Sequence, residues 1–249
     1  MRAILTYHSI DPTGSVISIG SDEFARHVAW LANGRVHVVP LRELSRLDDD
    51  VDALALTFDD AYTSFGEIAA PMLAAHGLPA TVFAVSEHAG GTNDWGGASE
   101  PGIPTLPLLD WDALARLSSV GFEIGAHTRR HPHLAAVGPA RLEDEVLGSA
   151  NVIADRVGVR PESFAYPYGS VSTRAADVVR RSFQVGVTTV LRTLRNDEDS
   201  ALLPRLDTYY LKAAGSLESW GSAAFRRRLW LRAQARRVRQ YVVSGRGAQ

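Results

Sequence analysis

Short apolar runs alternate with segments of helical periodicity along almost the whole chain. The runs are rich in aliphatic, β-branched and aromatic residues and predict buried strands. They lie at 3–7, 36–39, 54–58, 80–85, 122–126, 163–166, 184–190 and 206–210. Between them, apolar positions recur at three- or four-residue steps and predict amphipathic helices. The predicted helices lie at 21–33, 64–76, 110–120, 139–157 and 172–182.

This alternation predicts an α/β fold with about seven βα repeats, in which helices cover parallel strands. Candidate catalytic side chains follow several of the strands, and that placement favours a barrel over an open sheet. The length of 249 residues suits one principal domain. We expect residues 1–215 to form the barrel domain and residues 216–249 to form a basic, helical C-terminal extension.

Residues 88–109 interrupt the alternation. The segment contains two Gly-Gly pairs and three prolines, so it predicts a long loop. Loops of this length in a compact domain are usually functional or mobile. Trp95 lies within the loop, and its ring offers a stacking face for a substrate. An ordered surface loop anchored by Trp95 is the alternative.

Composition narrows the possible chemistry. The chain has no cysteine, which excludes disulfides, thiolate metal sites and cysteine nucleophiles. Charged residues make up 22% and apolar residues 45% of the chain, proportions that are ordinary for a globular protein. No run approaches the roughly 18 apolar residues of a membrane-spanning helix. Met1 leads directly into the first predicted strand without a signal-like segment, so a cytoplasmic protein is expected.

The C-terminal extension differs from the rest of the chain in charge. Residues 220–249 contain eight Arg and no acidic residue, although the whole chain has a net charge of −2. A helix that interleaves Arg with apolar residues is typical of a segment in peripheral contact with a membrane. Docking on the acidic domain, or a contact between subunits of an oligomer, is the alternative. Nucleic acid is not expected as a partner, because no basic patch extends into the domain.

The strongest chemical signal is a pair of adjacent acids at a predicted strand end. Thr57-Phe58-Asp59-Asp60 closes the strand at 54–58, and His127-Thr128-Arg129-Arg130-His131 follows the strand at 122–126. Pro167-Tyr168-Gly169 ends a third strand. The carboxyl ends of parallel strands meet at one rim of a barrel. One Asp and two His are sufficient to hold a divalent metal ion, and a second carboxylate beside them is suited to act as a base.

Together, the three motifs resemble those of the polysaccharide deacetylase family, the chitooligosaccharide-deacetylase homology group of carbohydrate esterases. The matching segments are 57–60, 125–131 and 164–169, in the family's order, and the resemblance spans residues 3–210. It implies a distorted (β/α)7 barrel. It also implies a metal-dependent hydrolase that removes acetyl groups from N-acetylated sugars in glycan metabolism.

The resemblance also implies roles for individual residues. Asp60, His127 and His131 correspond to the metal ligands and Asp59 to the general base. The backbone amide of Tyr168 corresponds to a donor that stabilises the oxyanion formed on the attacked carbonyl. Zinc is the expected metal, although nickel, cobalt or manganese accept the same ligands.

The chain departs from the family pattern at two points. Ala165 stands where most members have an Arg that orients the base, as in a subgroup with Phe-Ala-Tyr-Pro-Tyr-Gly, and we hypothesise that Arg205 approaches Asp59 instead. The family also has a late His as general acid, whereas all eight His of this chain lie at or before position 133. Three substitutes are considered: His8, His133, or Asp59 returning the proton that it accepted. We favour His8.

The leading hypothesis is a carbohydrate N-deacetylase that acts on an N-acetylated sugar or oligosaccharide. Trp95 and Pro167 are expected to contact this substrate. A noncatalytic glycan-binding relative is one alternative, favoured by Ala165 and by the missing late His. The retained Asp59 argues against it, because a binding module needs no base. A hydrolase of another non-peptide C–N bond on the same fold is the second alternative.

Overall fold

Parallel strands form the centre of the molecule. The computed structural model describes residues 1–48, 50–95, 97 and 101–245. The strands are β1 (Arg2–Tyr7), β2 (Ser9–Ile10), β3 (Ser18–Ile19), β4 (His37–Val38), β5 (Ala53–Phe58), β6 (Thr81–Ala84), β7 (Glu123–Ala126), β8 (Ser163–Ala165), β9 (Val185–Val187) and β10 (Leu206–Asp207). Within the described residues, the main sheet has the order β10-β1-β5-β6-β7-β8-β9, and β4 pairs with the start of β5. β2 and β3 form a separate pair.

The two ends of the main sheet meet through the chain at 203–207. The backbone amide of Leu203 donates to the Gly186 carbonyl, and the amide of Thr188 donates to the Leu203 carbonyl, both at 2.8 Å. Three residues after Leu203, β10 pairs with β1 through Leu206 and Leu5. The curled parallel sheet confirms the distorted α/β barrel predicted for this chain.

Helices surround the curled sheet. They are α1 (Ser21–Leu31), α2 (Leu41–Leu44), α3 (Ala70–Ala75), α4 (Trp111–Ser119), α5 (Pro139–Glu143), α6 (Ser149–Val157), α7 (Thr173–Ser182) and α8 (Ala223–Gly245). A π-helical turn at Phe65–Ala69 precedes α3, and another at Asp144–Gly148 joins α5 to α6. The helix predicted at 139–157 is therefore one run that contains an inserted residue, which rotates the following side chains around its axis.

Alternate residues of each central strand face two apolar regions. Along β5, Leu54 and Leu56 pack in the larger core with the surrounding helices, whereas Ala53 and Ala55 belong to a smaller cluster inside the curl. The inner cluster contains Ile4, Leu41, Leu44, Ala53, Ala55, Phe83, Ala165, Val185, Val187 and Leu203. An added Cβ at Gly125 would lie 2.5 Å from the Phe83 ring, so this strand position needs glycine. The interior of the barrel thus combines large side chains such as Phe83 with small residues such as Ala55 and Gly125.

Two predicted strands are shorter than expected. β10 contains only Leu206 and Asp207, and a 3₁₀ turn at Thr208–Leu211 replaces its continuation to 210. The Asp207 side chain accepts a hydrogen bond from the Tyr209 amide at 3.0 Å, and this cap favours the turn over an extended chain. The strand expected at 184–190 is likewise reduced to Val185–Val187.

The first turns of α8 pack against the domain. Phe225 is fully buried, and the ring of Trp220 lies 5.7 Å from that of Trp30 in α1. Trp230 and Leu231 face outward and are 60% and 51% exposed. Residues 246–249 of the predicted extension lie outside the described residues. Among the helices that the structure describes, none is both long and apolar enough to cross a bilayer.

Candidate metal and catalytic site

Three side chains from two strand ends meet in a buried group. Asp60 comes just after β5, His127 follows β7 directly, and His131 lies four residues further along the chain. The Oδ1 atom of Asp60 lies 3.4 Å from Nε2 of His127 and 3.4 Å from Nε2 of His131. One potential ligand atom from each residue lies within 4.8 Å of the other two. The structure thus brings together the three residues predicted as metal ligands.

The hydrogen bonds of this group fit a metal ion. Nδ1 of His127 donates to the Ala165 carbonyl at 2.8 Å, which leaves its Nε2 facing Asp60. Asp60 Oδ1 and His131 Nδ1 are buried and, among the described residues, have no hydrogen-bond partner. A buried oxygen without a partner is costly. A cation held beside Asp60 Oδ1 would satisfy it.

Burial and charge set the protonation of these residues. Burial lowers the pKa of His131 to about 3, so its ring is neutral at pH 7, the form that binds metals. Burial alone would raise the pKa of Asp60, but the neighbouring imidazoles of His131 and His127 hold it well below its usual range. Burial would lower the pKa of His127, but the Asp60 carboxylate next to its Nε2 and the charge of Asp59 raise it. A metal ion would displace the proton from His127.

The second acid, Asp59, has a separate partner. Both oxygens of its carboxylate accept hydrogen bonds from Arg205, each at 2.6 Å. Arg205 is itself buried, and its Nε donates to the Thr188 carbonyl at 2.9 Å. Burial would raise the pKa of Asp59, but the charge and hydrogen bonds of Arg205 hold it below its usual range. Asp59 is therefore an ionised carboxylate in a fixed orientation.

His8 lies beside the Asp59 carboxylate. It follows β1 directly, its side chain is partly exposed, and its Nε2 lies 3.9 Å from Asp59 Oδ2. His133, the other imidazole considered as a general acid, stacks on the Tyr168 ring with 4.0 Å between the ring centroids. Of the two imidazoles, His8 is therefore the one placed against the candidate base.

The Pro-Tyr-Gly turn brings Tyr168 to the edge of the site. The ring of Tyr168 is exposed and lies 4.5 Å from that of His131. Gly169 has a φ of +67°, and an added Cβ would lie 2.0 Å from Thr189 Oγ1, so the turn requires glycine. Pro167, at the start of this turn, is buried, and its contact with a substrate stays a prediction.

Trp95 also lies at the site. Its ring centroid is 4.4 Å from that of His131 and 5.0 Å from that of His88. Backbone bridges between Thr92 and Pro107 and between Tyr62 and Leu108 anchor the loop that carries Trp95. Residues 96 and 98–100 of this loop lie outside the described residues. Trp95 therefore belongs to an anchored loop and lies against a candidate ligand, and its stacking on a substrate stays a prediction.

A family of known proteins shares these motifs. The family model of polysaccharide deacetylases matches residues 47–189, more than half of the chain. The chain belongs to the polysaccharide deacetylase family. The matched segment contains both acids, both His of the buried group and the Pro-Tyr-Gly turn, whereas His8 and Arg205 lie outside it.

Proteins similar to this chain include the chitooligosaccharide deacetylase of Bradyrhizobium sp. (strain ANU 289). The two are 28% identical over 157 residues, which cover 61% of this chain and 62% of that protein. IcaB from Ammonifex degensii has a TM-score of 0.71 at 22% identity, covering 90% of this chain and 96% of its own. Streptococcus pyogenes deacetylase PplD, in complex with acetate, has a TM-score of 0.69 at 20% identity, covering 82% and 91%. The two structures show that the fold is shared.

The candidate site contains unusual backbone conformations. Among the described residues, those other than glycine with positive φ are Asp60, Ala61, Thr128, His131 and Tyr168. All of them lie in or next to the three motifs. Such conformations cost roughly 1–3 kcal/mol each and persist where the surrounding contacts enforce them. The pattern of apolar and polar positions gave no sign of this strain.

The sequence pattern also did not reveal a charged residue behind the candidate site. Glu145 lies in the π-helical turn between α5 and α6 and is fully buried. Its Oε2 accepts hydrogen bonds from the backbone amides of Arg129 and Arg130, both at 3.0 Å. The one available signal was its position next to Val146, close to the apolar face of a predicted helix. An acid at such a position needs a buried partner.

Proposed function

We propose that this protein is a metal-dependent hydrolase that removes acetyl groups from N-acetylated sugars. One observation carries the proposal: two adjacent buried carboxylates have different partners. Asp60 faces the imidazoles of His127 and His131, whereas Asp59 is paired with Arg205. A glycan-binding module could use the first group as a structural site, but it has no use for the second. Family membership and the deacetylase relatives support the same class of reaction.

Asp60, His127 and His131 would hold the metal ion in this proposal. Zinc suits two imidazoles and one carboxylate and leaves coordination positions open for water and substrate. Nickel, cobalt or manganese are alternatives that the same ligands accept. When bound, a divalent cation polarises the acetamide carbonyl and lowers the pKa of water at the site.

Different residues around the metal site accept and donate the protons of the reaction. Asp59 accepts a proton from the attacking water, since Arg205 keeps its carboxylate ionised and oriented. The backbone amide of Tyr168 donates to the oxyanion on the attacked carbonyl. His8, at 3.9 Å from Asp59, delivers a proton to the departing amine. The rings of Trp95 and Tyr168 offer stacking faces for a sugar ring.

We extend the proposal to the C-terminal extension and infer that residues 220–249 contact an anionic membrane surface. The exposed residues Trp230 and Leu231 share α8 with exposed Arg226 and Arg227. A face that is both apolar and cationic suits the headgroup region of anionic bilayers. Sedimentation with phosphatidylglycerol liposomes should recover the wild type but not Trp230→Ser/Leu231→Ser. Equal recovery of both proteins would contradict the contact.

Acetate release from a panel of N-acetylated sugars and chito-oligosaccharides tests the enzymatic proposal. With metal supplied, Asp59→Asn should keep its metal and lose at least roughly 10²-fold in turnover. Asp112→Asn, at an exposed position of α4, is the matched control and should retain wild-type activity. Equal activity of wild type and Asp59→Asn would overturn the mechanism. Metal binding without acetate release from any sugar would favour a glycan-binding role or another C–N substrate.

A further inference from the structure

The loop between the two candidate His ligands has a strained backbone. Its φ values are +67° at Thr128 and +60° at His131. Two hydrogen bonds hold Thr128: its Oγ1 accepts from the His131 amide at 2.9 Å, and its carbonyl accepts from the Ser86 amide at 3.1 Å. A backbone of this kind keeps its shape only where several contacts enforce it. The contacts of Arg129 and Arg130, between the two His, therefore matter for the geometry of the site.

The Glu145 carboxylate binds the middle of this loop from behind. Its Oε2 accepts from the amides of Arg129 and Arg130 at 3.0 Å, and its Oε1 accepts from Nη1 of Arg130 at 3.2 Å. Hydrogen bonds to an ionised acceptor are about twice as strong as neutral ones. Because Glu145 is fully buried, water does not compete for its oxygens. One side chain thus fixes two consecutive peptide units of the loop.

Two neighbouring acids of the π-helical turn at Asp144–Gly148 point in different directions and have different partners. Glu145 points inward to the loop backbone, whereas Asp144 is 42% exposed and pairs with the guanidinium groups of Arg129 and Arg130. Gly148 lets the helix approach closely, because an added Cβ would lie 3.0 Å from Cδ of Arg129. Asp144 therefore offers a control of equal charge next to Glu145.

We propose that Glu145 is a positioning residue for the metal site. It holds the loop in the conformation in which Nε2 of His127 and Nε2 of His131 both face Asp60 Oδ1. The inference rests on the proposed function, since these three residues must bind a metal for the role to exist. Outer partners of metal ligands typically change metal affinity by about 10- to 100-fold when they are replaced.

Zn²⁺ affinity of the metal-free protein, measured by competition with a chromogenic chelator, tests this role. Glu145→Gln should weaken the affinity roughly 10- to 100-fold, whereas Asp144→Asn should change it by less than about fivefold. Ile153→Val, a core substitution on α6, lowers stability without touching the loop and should leave the affinity unchanged. If Glu145→Gln binds Zn²⁺ as tightly as the wild type while His127→Ala binds it more weakly, the role of Glu145 is overturned and the proposed function is not. Equal affinities in wild type and His127→Ala would overturn the proposed function and, with it, this role.

Amide hydrogen exchange in the wild type provides a second measurement that does not depend on the folding of a variant. The amides of Arg129 and Arg130 should exchange as slowly as those of β7, because Glu145 accepts both. Fast exchange at the two amides in the metal-free protein would overturn the proposal. Slow exchange, lost at both positions in a folded Glu145→Gln, would support it.

Discussion

Replacing Arg205 by Met removes the guanidinium from a deeply buried ion pair. The side chains of Arg205 and Asp59 are 1% and 5% exposed and share two hydrogen bonds of 2.6 Å. Met is similar in length, so Arg205→Met leaves Asp59 buried and unpaired without opening a large cavity. Loss of one partner from a buried pair costs roughly 3–5 kcal/mol. We expect a decrease of that size in the free energy of unfolding.

Urea unfolding of wild type, Arg205→Met, Asp59→Asn and the double variant measures this decrease. The double variant should be more stable than Arg205→Met, because a neutral amide at position 59 requires no positive partner. The sign of the pH dependence follows from the lowered pKa of Asp59 in the folded protein. The pair stabilises the fold above the unfolded carboxyl pKa of about 3.9, and this contribution is lost as the pH falls through the folded pKa. The stability difference between wild type and Arg205→Met should therefore shrink in acid.

Activity gives an independent measurement on the same variant. Arg205→Met should release acetate more slowly with unchanged metal content, since Asp59 loses the group that orients it. In the urea experiment, a decrease of less than about 1 kcal/mol in the free energy of unfolding, the range of an exposed ion pair, would refute the energetic reasoning. Unchanged turnover over the whole pH range would refute the assigned role of Arg205.

Four further substitutions test other parts of the structure. His8→Ala should lower turnover at unchanged metal content, and full turnover would contradict its role as proton donor. Gly169→Ala should lower the free energy of unfolding by at least roughly 1–3 kcal/mol, because the added Cβ meets Thr189 Oγ1; an unchanged melting temperature would contradict that clash. Phe225→Ala should cost roughly 3–5 kcal/mol in urea unfolding, whereas Trp230→Ser should stay within about 0.5 kcal/mol. Equal decreases in the free energy of unfolding for Phe225→Ala and Trp230→Ser would contradict the docking of α8 through one face.

The convergence of the candidate site was predictable because parallel strands share a direction. Asp59, Asp60 and His127 come directly after apolar runs, so the strand pattern alone brings them to one rim. The pairing of Arg205 with Asp59 required the family pattern as well, since 146 residues separate them. Periodicity carries no information about a contact over that distance.

The backbone detail of the site could not be predicted from the pattern. Tertiary contacts impose positive φ at Ala61 and Tyr168, against the preference of these residue types. The π-helical turn contains an inserted residue, which the spacing of apolar positions does not reveal. The inward orientation of Glu145 therefore could not be predicted from the sequence. The burial of Phe225 likewise depends on a surface formed by distant parts of the chain.

Ala165 limits which segments can be transplanted between this chain and other members of the family. It belongs to the inner cluster that contains Phe83, and the Arg205 guanidinium lies over the Phe83 ring at 5.9 Å. An Arg introduced at position 165 would place a second cation in an interior that already holds one. Removing Arg205 first would instead leave Asp59 without a counter-charge. Either single change should therefore lower stability or activity more than the two changes made together. A chimera that transplants the β8 motif should work only if the segment containing Arg205 is transplanted with it.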